Sequence, residues 1–145
     1  MLVHQILKAK AKAGVLSVES TASVADAAKV LADNRIGSVV VSDDGGASVA
    51  GILSERDIVR EVARSGPGCL SRPVSDYMTR KIVTCTSQTS AQDVLTQMTE
   101  GRFRHMPVVE DGKMTGLVTL GDVVKAQLTE LSMEKEALEG MIMGH

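Results

Sequence analysis

The nine residues GILSERDIV (51–59) return in pattern as GLVTLGDVV (116–124). Each reads glycine, two aliphatics, a hydroxyl residue, two variable positions, aspartate and two aliphatics. The likeness extends well upstream of the phrase. At an offset of 67, Ser20, Ser23, Asp26, Arg35, Val41, Asp44 and Gly45 fall on Ser87, Ser90, Asp93, Arg102, Val108, Asp111 and Gly112. After a two-residue deletion in a turn, Gly51, Asp57 and Val59 fall on Gly116, Asp122 and Val124. A chain of 145 residues that writes one unit twice is held to a fold built from two like halves.

Each copy has the same grammar. Ser23 precedes Val24, Ala27, Ala28 and Leu31, and Ser90 precedes Ala91, Val94, Leu95 and Met98. That i, i+3, i+4, i+7 spacing behind a hydroxyl residue predicts a capped amphipathic helix. The runs SVVV (38–41) and MPVV (106–109) predict strands, with turns at DDGG and EDG and returning strands at VAGIL (49–53) and MTGLV (114–118). Helices follow from near Glu55 and Leu120. With an extended segment ahead of the first helix, the unit reads β-α-β-β-α and the fold class is α+β. A two-stranded core is too small to stand alone, so the repeats are expected to pack sheet to sheet. The repeats are placed at 9–66 and 74–132 with a linker at 67–73, inside RSGPGCLSRP (64–73), whose Gly-Pro-Gly predicts irregular structure. Segments 1–8 and 133–145 are expected to be helical, the first through Val3, Ile6 and Leu7. The tail carries Leu128, Leu131, Leu138 and Met141.

Composition narrows the function. A formal charge of −2 offers no basic footprint for nucleic acid, and Phe103 and Tyr77 are the only aromatics on which bases could stack. The run Lys8, Lys10, Lys12 reads as one solvated helix edge. Cys69 and Cys85 lack CxxC spacing, which suggests a reducing compartment, and a cytoplasmic location is the expectation. No apolar run approaches the ~18 residues of a spanning helix, so no membrane role is expected. Gly46 and Gly51 have P-loop spacing, but Ile52-Leu53 stand where Lys and Ser/Thr are required. There is no GxSxG or HExxH, and His4, His105 and His145 lie far apart, so neither an enzyme nor a metal site is expected.

The repeated phrase has two readings. Ser54-Glu55-Arg56-Asp57 and Thr119-Leu120-Gly121-Asp122 both fit a capping box that opens a helix. Yet Asp is shorter than the usual Glu and is expected to reach the cap nitrogen less easily. A glycine three residues before the hydroxyl suggests close approach of something to the backbone. An ionised carboxylate accepts both hydroxyls of a cis-diol, and the amides of a helix start favour anions. A ribose phosphate offers both groups.

The tandem pattern G-h-h-T/S-x-x-D after a hairpin, together with RFRHMPVVEDG and NRIGSVVVSDDG, resembles the cystathionine β-synthase (CBS) domain family over residues 12–130. That resemblance implies a CBS-domain pair, a Bateman module, whose halves are related by a pseudo-twofold axis and whose two clefts take AMP, ADP or ATP, with NAD(H) or S-adenosylmethionine as further ligands. It implies that Asp57 and Asp122 hold ribose hydroxyls beside Ser54 and Thr119. Arg104, His105 and Arg56 are the candidate phosphate cations, the first two expected to face the Asp57 cleft. Gly37 and Ser38 hold the matching uncharged positions of repeat one, so the pockets are expected to differ. Thr89 and Met106 complete the candidate set, while Arg35 and Arg102 are read as helix-end residues. The module is expected to regulate an unknown partner protein and to form a homodimer through the Ala-rich face of helix 24–31. A purely structural dimerisation module and a small nucleotide-acting enzyme remain the alternatives.

Overall fold

Two serines start the principal helices of the repeats. In the computed structural model, which describes residues 1–10 and 15–143, Ser23 Oγ accepts the Asp26 N–H at 3.0 Å to open α2 (Val24–Asn34). Ser90 Oγ accepts the Asp93 N–H at 3.1 Å to open α4 (Ala91–Gly101). Both helices stop at an arginine in the left-handed region, Arg35 (φ 53°) and Arg102 (φ 56°), so these arginines are helix ends as expected. The chain order is α1 (Val3–Ala9), β1 (Ser17–Val18), α2, β2 (Ser38–Val41), β3 (Gly51–Ser54), α3 (Glu55–Ser65), α4, β4 (His105–Glu110), β5 (Lys113–Thr119) and α5 (Leu120–Ile142). Lys12 and His145 lie outside the described residues.

In repeat one, β2 is central: β1 pairs with it in parallel and β3 antiparallel, with Ser38 opposite Ser54. In repeat two, β4 and β5 form a hairpin closed by Asp111 (φ 51°) and Gly112 (φ 76°), the left-handed pair an Asp-Gly turn provides. The opening strand expected there shrinks to one parallel bridge, Cys85 with Val108. Pro107 is the cause. It stands where repeat one has Val40, and it has no N–H to give to the segment before Cys85. The DDGG turn is likewise not tight: Asp44 accepts from Ser42 Oγ at 2.7 Å and the Ser48 N–H at 2.9 Å and organises a wider loop. Hydrogen bonds from Ser48 first, and from Ser42, lower the Asp44 carboxyl to about 2.

The chain divides into two compact units that cut across the repeats. One holds Gly14–Val83 with Glu110–Thr115, and the other Met1–Ala13, Thr84–Val109 and Gly116–His145. In the first, the N–H of Val74 donates to Ala22 O at 2.8 Å, and that of Val24 to Arg72 O at 2.9 Å. The second repeats the exchange, with Val3 donating to Thr89 O at 2.9 Å and Ala91 to Met1 O at 2.8 Å. Each α2-type helix is thus laced to a segment that precedes the other repeat. Val24, Ala27, Leu31, Val39, Val41, Leu53 and Val74 make one core, and Val3, Ile6, Val94, Met98, Met106, Val118 and Val123 belong to the other.

One expectation is corrected. Linker residues Pro67–Ser71 form a 3-10 turn, with Pro67 at a first-turn position where its missing N–H costs nothing. The tail is helical through Ile142 as expected, and it continues α5, which runs unbroken for 23 residues. On helix 24–31 Val24 and Ala27 face the core, while Ala25 is exposed and Ala28 half-buried.

The repeated glycines have a packing cause. A Cβ on Gly51 would lie 2.6 Å from Met78 Sδ and 2.9 Å from the Thr79 carbonyl oxygen, while one on Gly116 would meet only the Leu7 methyls at 2.9 Å. The approach foreseen at this backbone is therefore made by the protein itself. Thr79 is held by paired backbone bonds to Ile52, whereas a Leu side chain can shift. Urea denaturation should show Gly51→Ala losing about 1–3 kcal/mol, the usual cost of overpacking, and Gly116→Ala losing less.

Candidate functional site

Both repeated phrases fold as reciprocal capping boxes at a strand-to-helix junction. Ser54 Oγ accepts the Asp57 N–H at 3.1 Å, and the Ser54 N–H donates to Asp57 Oδ2 at 2.9 Å. Thr119 Oγ1 accepts the Asp122 N–H at 3.1 Å, and the Thr119 N–H donates to Asp122 Oδ2 at 3.0 Å. The shorter aspartate reaches the cap nitrogen in both, contrary to expectation. Capping and ligand binding are nevertheless compatible, because each box engages Oδ2 and not Oδ1.

The other carboxylate partners differ between the units. Asp57 Oδ1 accepts from Arg60 at 3.2 Å, and that arginine is largely exposed. Asp122 Oδ2 takes Lys10 Nζ at 2.9 Å, and the same ammonium donates to Leu117 O at 2.9 Å. Lys10 was read as one of three lysines on a solvated edge; it is instead partly buried against the second box. Neither cation was singled out from sequence. Arg60 carries a local signal, an acid and a base at i, i+3 on one helix, but Lys10 carries none.

Around the first box, the Glu55 N–H donates to Gly37 O at 2.9 Å, and Ser38 lies opposite Ser54 in the sheet. Ser38 is only 3% exposed, and its Oγ has no hydrogen-bond partner among the described residues. Arg56 is exposed beside Glu55, Val59 and Arg60, which line an open depression on α3. Around the second box, the Leu120 N–H donates to Arg104 O at 2.8 Å, the equivalent bond to that at Gly37. Arg104 is exposed and His105 half-buried at the start of β4. The structure thus gathers Gly37, Ser38, Ser54, Arg56 and Asp57 at one junction, and Arg104, His105, Thr119 and Asp122 at the other. It does not bring in two candidates. The Met106 side chain is fully buried in the apolar core, and Thr89 belongs to a turn where its Oγ1 accepts the Thr86 N–H at 3.0 Å. Among the described residues, no cluster of three or more His, Cys, Asp or Glu is placed to hold a metal. No helix there is long and apolar enough to cross a membrane.

Burial is the largest single influence on the Asp122 carboxyl and pushes it up. The hydrogen bonds and charge of Lys10 and the Thr119 cap together outweigh it, and the group sits below its ordinary value of 3.8. A depressed folded-state value means that Asp122 adds stability above the unfolded value, and that this is lost as pH falls through the folded one. Carboxyl-detected NMR titration should find the Asp122 midpoint below 3.8 in the native chain and higher in Lys10→Met, where burial is less opposed.

Comparison with known proteins bears on the family and the fold. The family model of the CBS domain matches residues 11–64 and 74–129. A CBS domain-containing protein of Arabidopsis thaliana, CBSX3, described as mitochondrial, is 34% identical over 98% of this chain and 72% of its own length. A CBS-domain-containing protein from Agrobacterium tumefaciens superposes with a TM-score of 0.83 at 40% identity, over 88% of this chain and 99% of that one. A protein from Pyrobaculum aerophilum, solved complexed with AMP, superposes with a TM-score of 0.76 at 26% identity, over 92% of this chain and 99% of its own.

Proposed function

The chain belongs to the CBS domain family, and on that premise we propose that it is an adenosine-nucleotide-binding regulatory module and not an enzyme. One observation carries the reading. In both repeats a helix cap holds a carboxylate by Oδ2 at the same junction, so Oδ1 is fixed in place without being used by the cap. A fixed carboxylate oxygen beside a helix start suits one hydroxyl of a ribose diol, with phosphate drawn to the exposed amides. Arg60 on the first carboxylate and Lys10 on the second are cations that a ribose phosphate could recruit. The AMP complex of the Pyrobaculum relative supports this ligand class. So does the buried Ser38 hydroxyl, which a polar ligand atom would satisfy.

Ligand bound at either junction would bias the module toward one arrangement, and a partner protein that senses it would be regulated by nucleotide level. The structural reading, a dimerisation module that binds no nucleotide, makes the capping boxes sufficient in themselves. The enzymatic reading requires turnover.

Differential scanning fluorimetry with AMP, ADP, ATP, NAD(H) and S-adenosylmethionine separates these readings. At least one ligand should raise the melting temperature, since about 100 times its dissociation constant adds about 2.7 kcal/mol. Asp57→Asn and Asp122→Asn keep an oxygen for the cap but lose the charge, and calorimetry should show about tenfold weaker binding. No response across the panel would leave the structural reading standing, and product formed in proportion to protein would establish the enzymatic one.

A further inference from the structure

We infer that Lys10 latches the second junction, so that Asp122 takes a ribose diol only when the ligand brings an anion that draws the ammonium away. This deepens the nucleotide reading and rests on it. An ionised carboxylate has about four lone-pair positions, two on each oxygen. A diol held by both hydroxyls needs one free position on Oδ1 and one on Oδ2. At the first junction the Ser54 N–H takes one position on Asp57 Oδ2, and Arg60 takes one on Oδ1. Among the described residues each oxygen keeps one, so both hydroxyls find an acceptor without any bond breaking. At the second junction the Thr119 N–H and Lys10 Nζ both lie on Asp122 Oδ2, at 3.0 and 2.9 Å. That oxygen is full, and only one hydroxyl can be accepted until Lys10 leaves.

The latch is held from behind. Lys10 is the C-cap of α1, whose Val3 and Ile6 are buried. Leu7 of the same helix packs so close to Gly116 that a Cβ there would lie 2.9 Å from its methyls. The helix end therefore delivers the ammonium from a fixed seat, and its second bond, to Leu117 O at 2.9 Å, anchors it on the strand that enters the cap. Lys10 is 28% exposed against 56% for Arg60. Parting Lys10 from Asp122 leaves a partly buried ammonium without its countercharge, whereas an exposed arginine turns to water. Burial raises the Asp122 carboxyl, and the Lys10 hydrogen bond leads the contacts that bring it below 3.8, so the anion of the latch stays charged at neutral pH. A neutral nucleoside offers the displaced ammonium only hydroxyls. A phosphate replaces the carboxylate with a second anion and a charge-assisted bond. The second junction thus discriminates by penalising the ligand that leaves a charge unpaired.

Heteronuclear NMR titration of the full chain with adenosine and with AMP reads the junctions separately, through the amides of Asp57 and Asp122. Adenosine should bind the first junction about tenfold more tightly than the second, and AMP should narrow that gap to about threefold or less. Lys10→Met should tighten adenosine about tenfold at the second junction and leave the first unchanged. Lys8→Met, which removes an exposed charge from the same helix, should alter neither junction. Without any ligand, a double-mutant cycle of Lys10→Met and Asp122→Asn in urea should show a coupling of about fivefold in the unfolding constant. Adenosine filling both junctions equally in the native chain, Lys10→Met leaving the gap as it was, or a cycle without coupling would each overturn the latch while the nucleotide reading stands. AMP and adenosine binding at neither junction in any variant would overturn both.

Discussion

The exchange of two hydrogen bonds between a hydroxyl residue and an aspartate three positions on organises both junctions of this molecule. It ends a strand, starts a helix and fixes a carboxylate in one operation. Each box satisfies amides that the first turn of a helix leaves without partners. The same bonds immobilise the aspartate, so a ligand meeting its other oxygen finds a group whose entropy of ordering is already spent. On the proposed reading, structural and recognition roles are joined in one side chain.

The two junctions are alike in backbone and different in charge. The Gly37 and Arg104 carbonyls accept equivalent amides from Glu55 and Leu120, so duplication has preserved the frame. Onto it the first repeat sets a cation from its own helix, Arg60, on a solvated surface. The second draws Lys10 from far away into a partly buried contact. An exposed ion pair exchanges partners at little cost, whereas a partly buried one gives up more when its partner leaves.

What could be read from residues alone was the local part. Ser23 and Ser90 cap helices, Asp111-Gly112 turns a hairpin and Arg35 and Arg102 end helices because neighbours in the chain decide those features. Some departures were local, such as the aspartates that reach their own cap nitrogens and the wider DDGG loop, and others came from contacts between distant residues. Lys10 looked like a surface charge because its bond to Leu117 spans 107 positions. Gly51 and Gly116 signalled close approach correctly but not what approaches, since Met78 and Leu7 are invisible to a local pattern. Met106 sits next to candidate cations in sequence, yet strand alternation turns it into the core.

The crossed lacing of the two units has a bearing on how the chain comes together. Val3 and Met1 form their backbone bonds with Thr89 and Ala91, so a segment that precedes the first repeat is seated by partners made much later. The unit around α2 draws nearly all its residues from one continuous stretch, and its closure demands short loops. The helix α1 must wait, unpaired, until the second repeat exists. A helix made before the first repeat thus finds its seat only after the second, and a nascent chain halted between the repeats carries it as an apolar segment with nowhere to go.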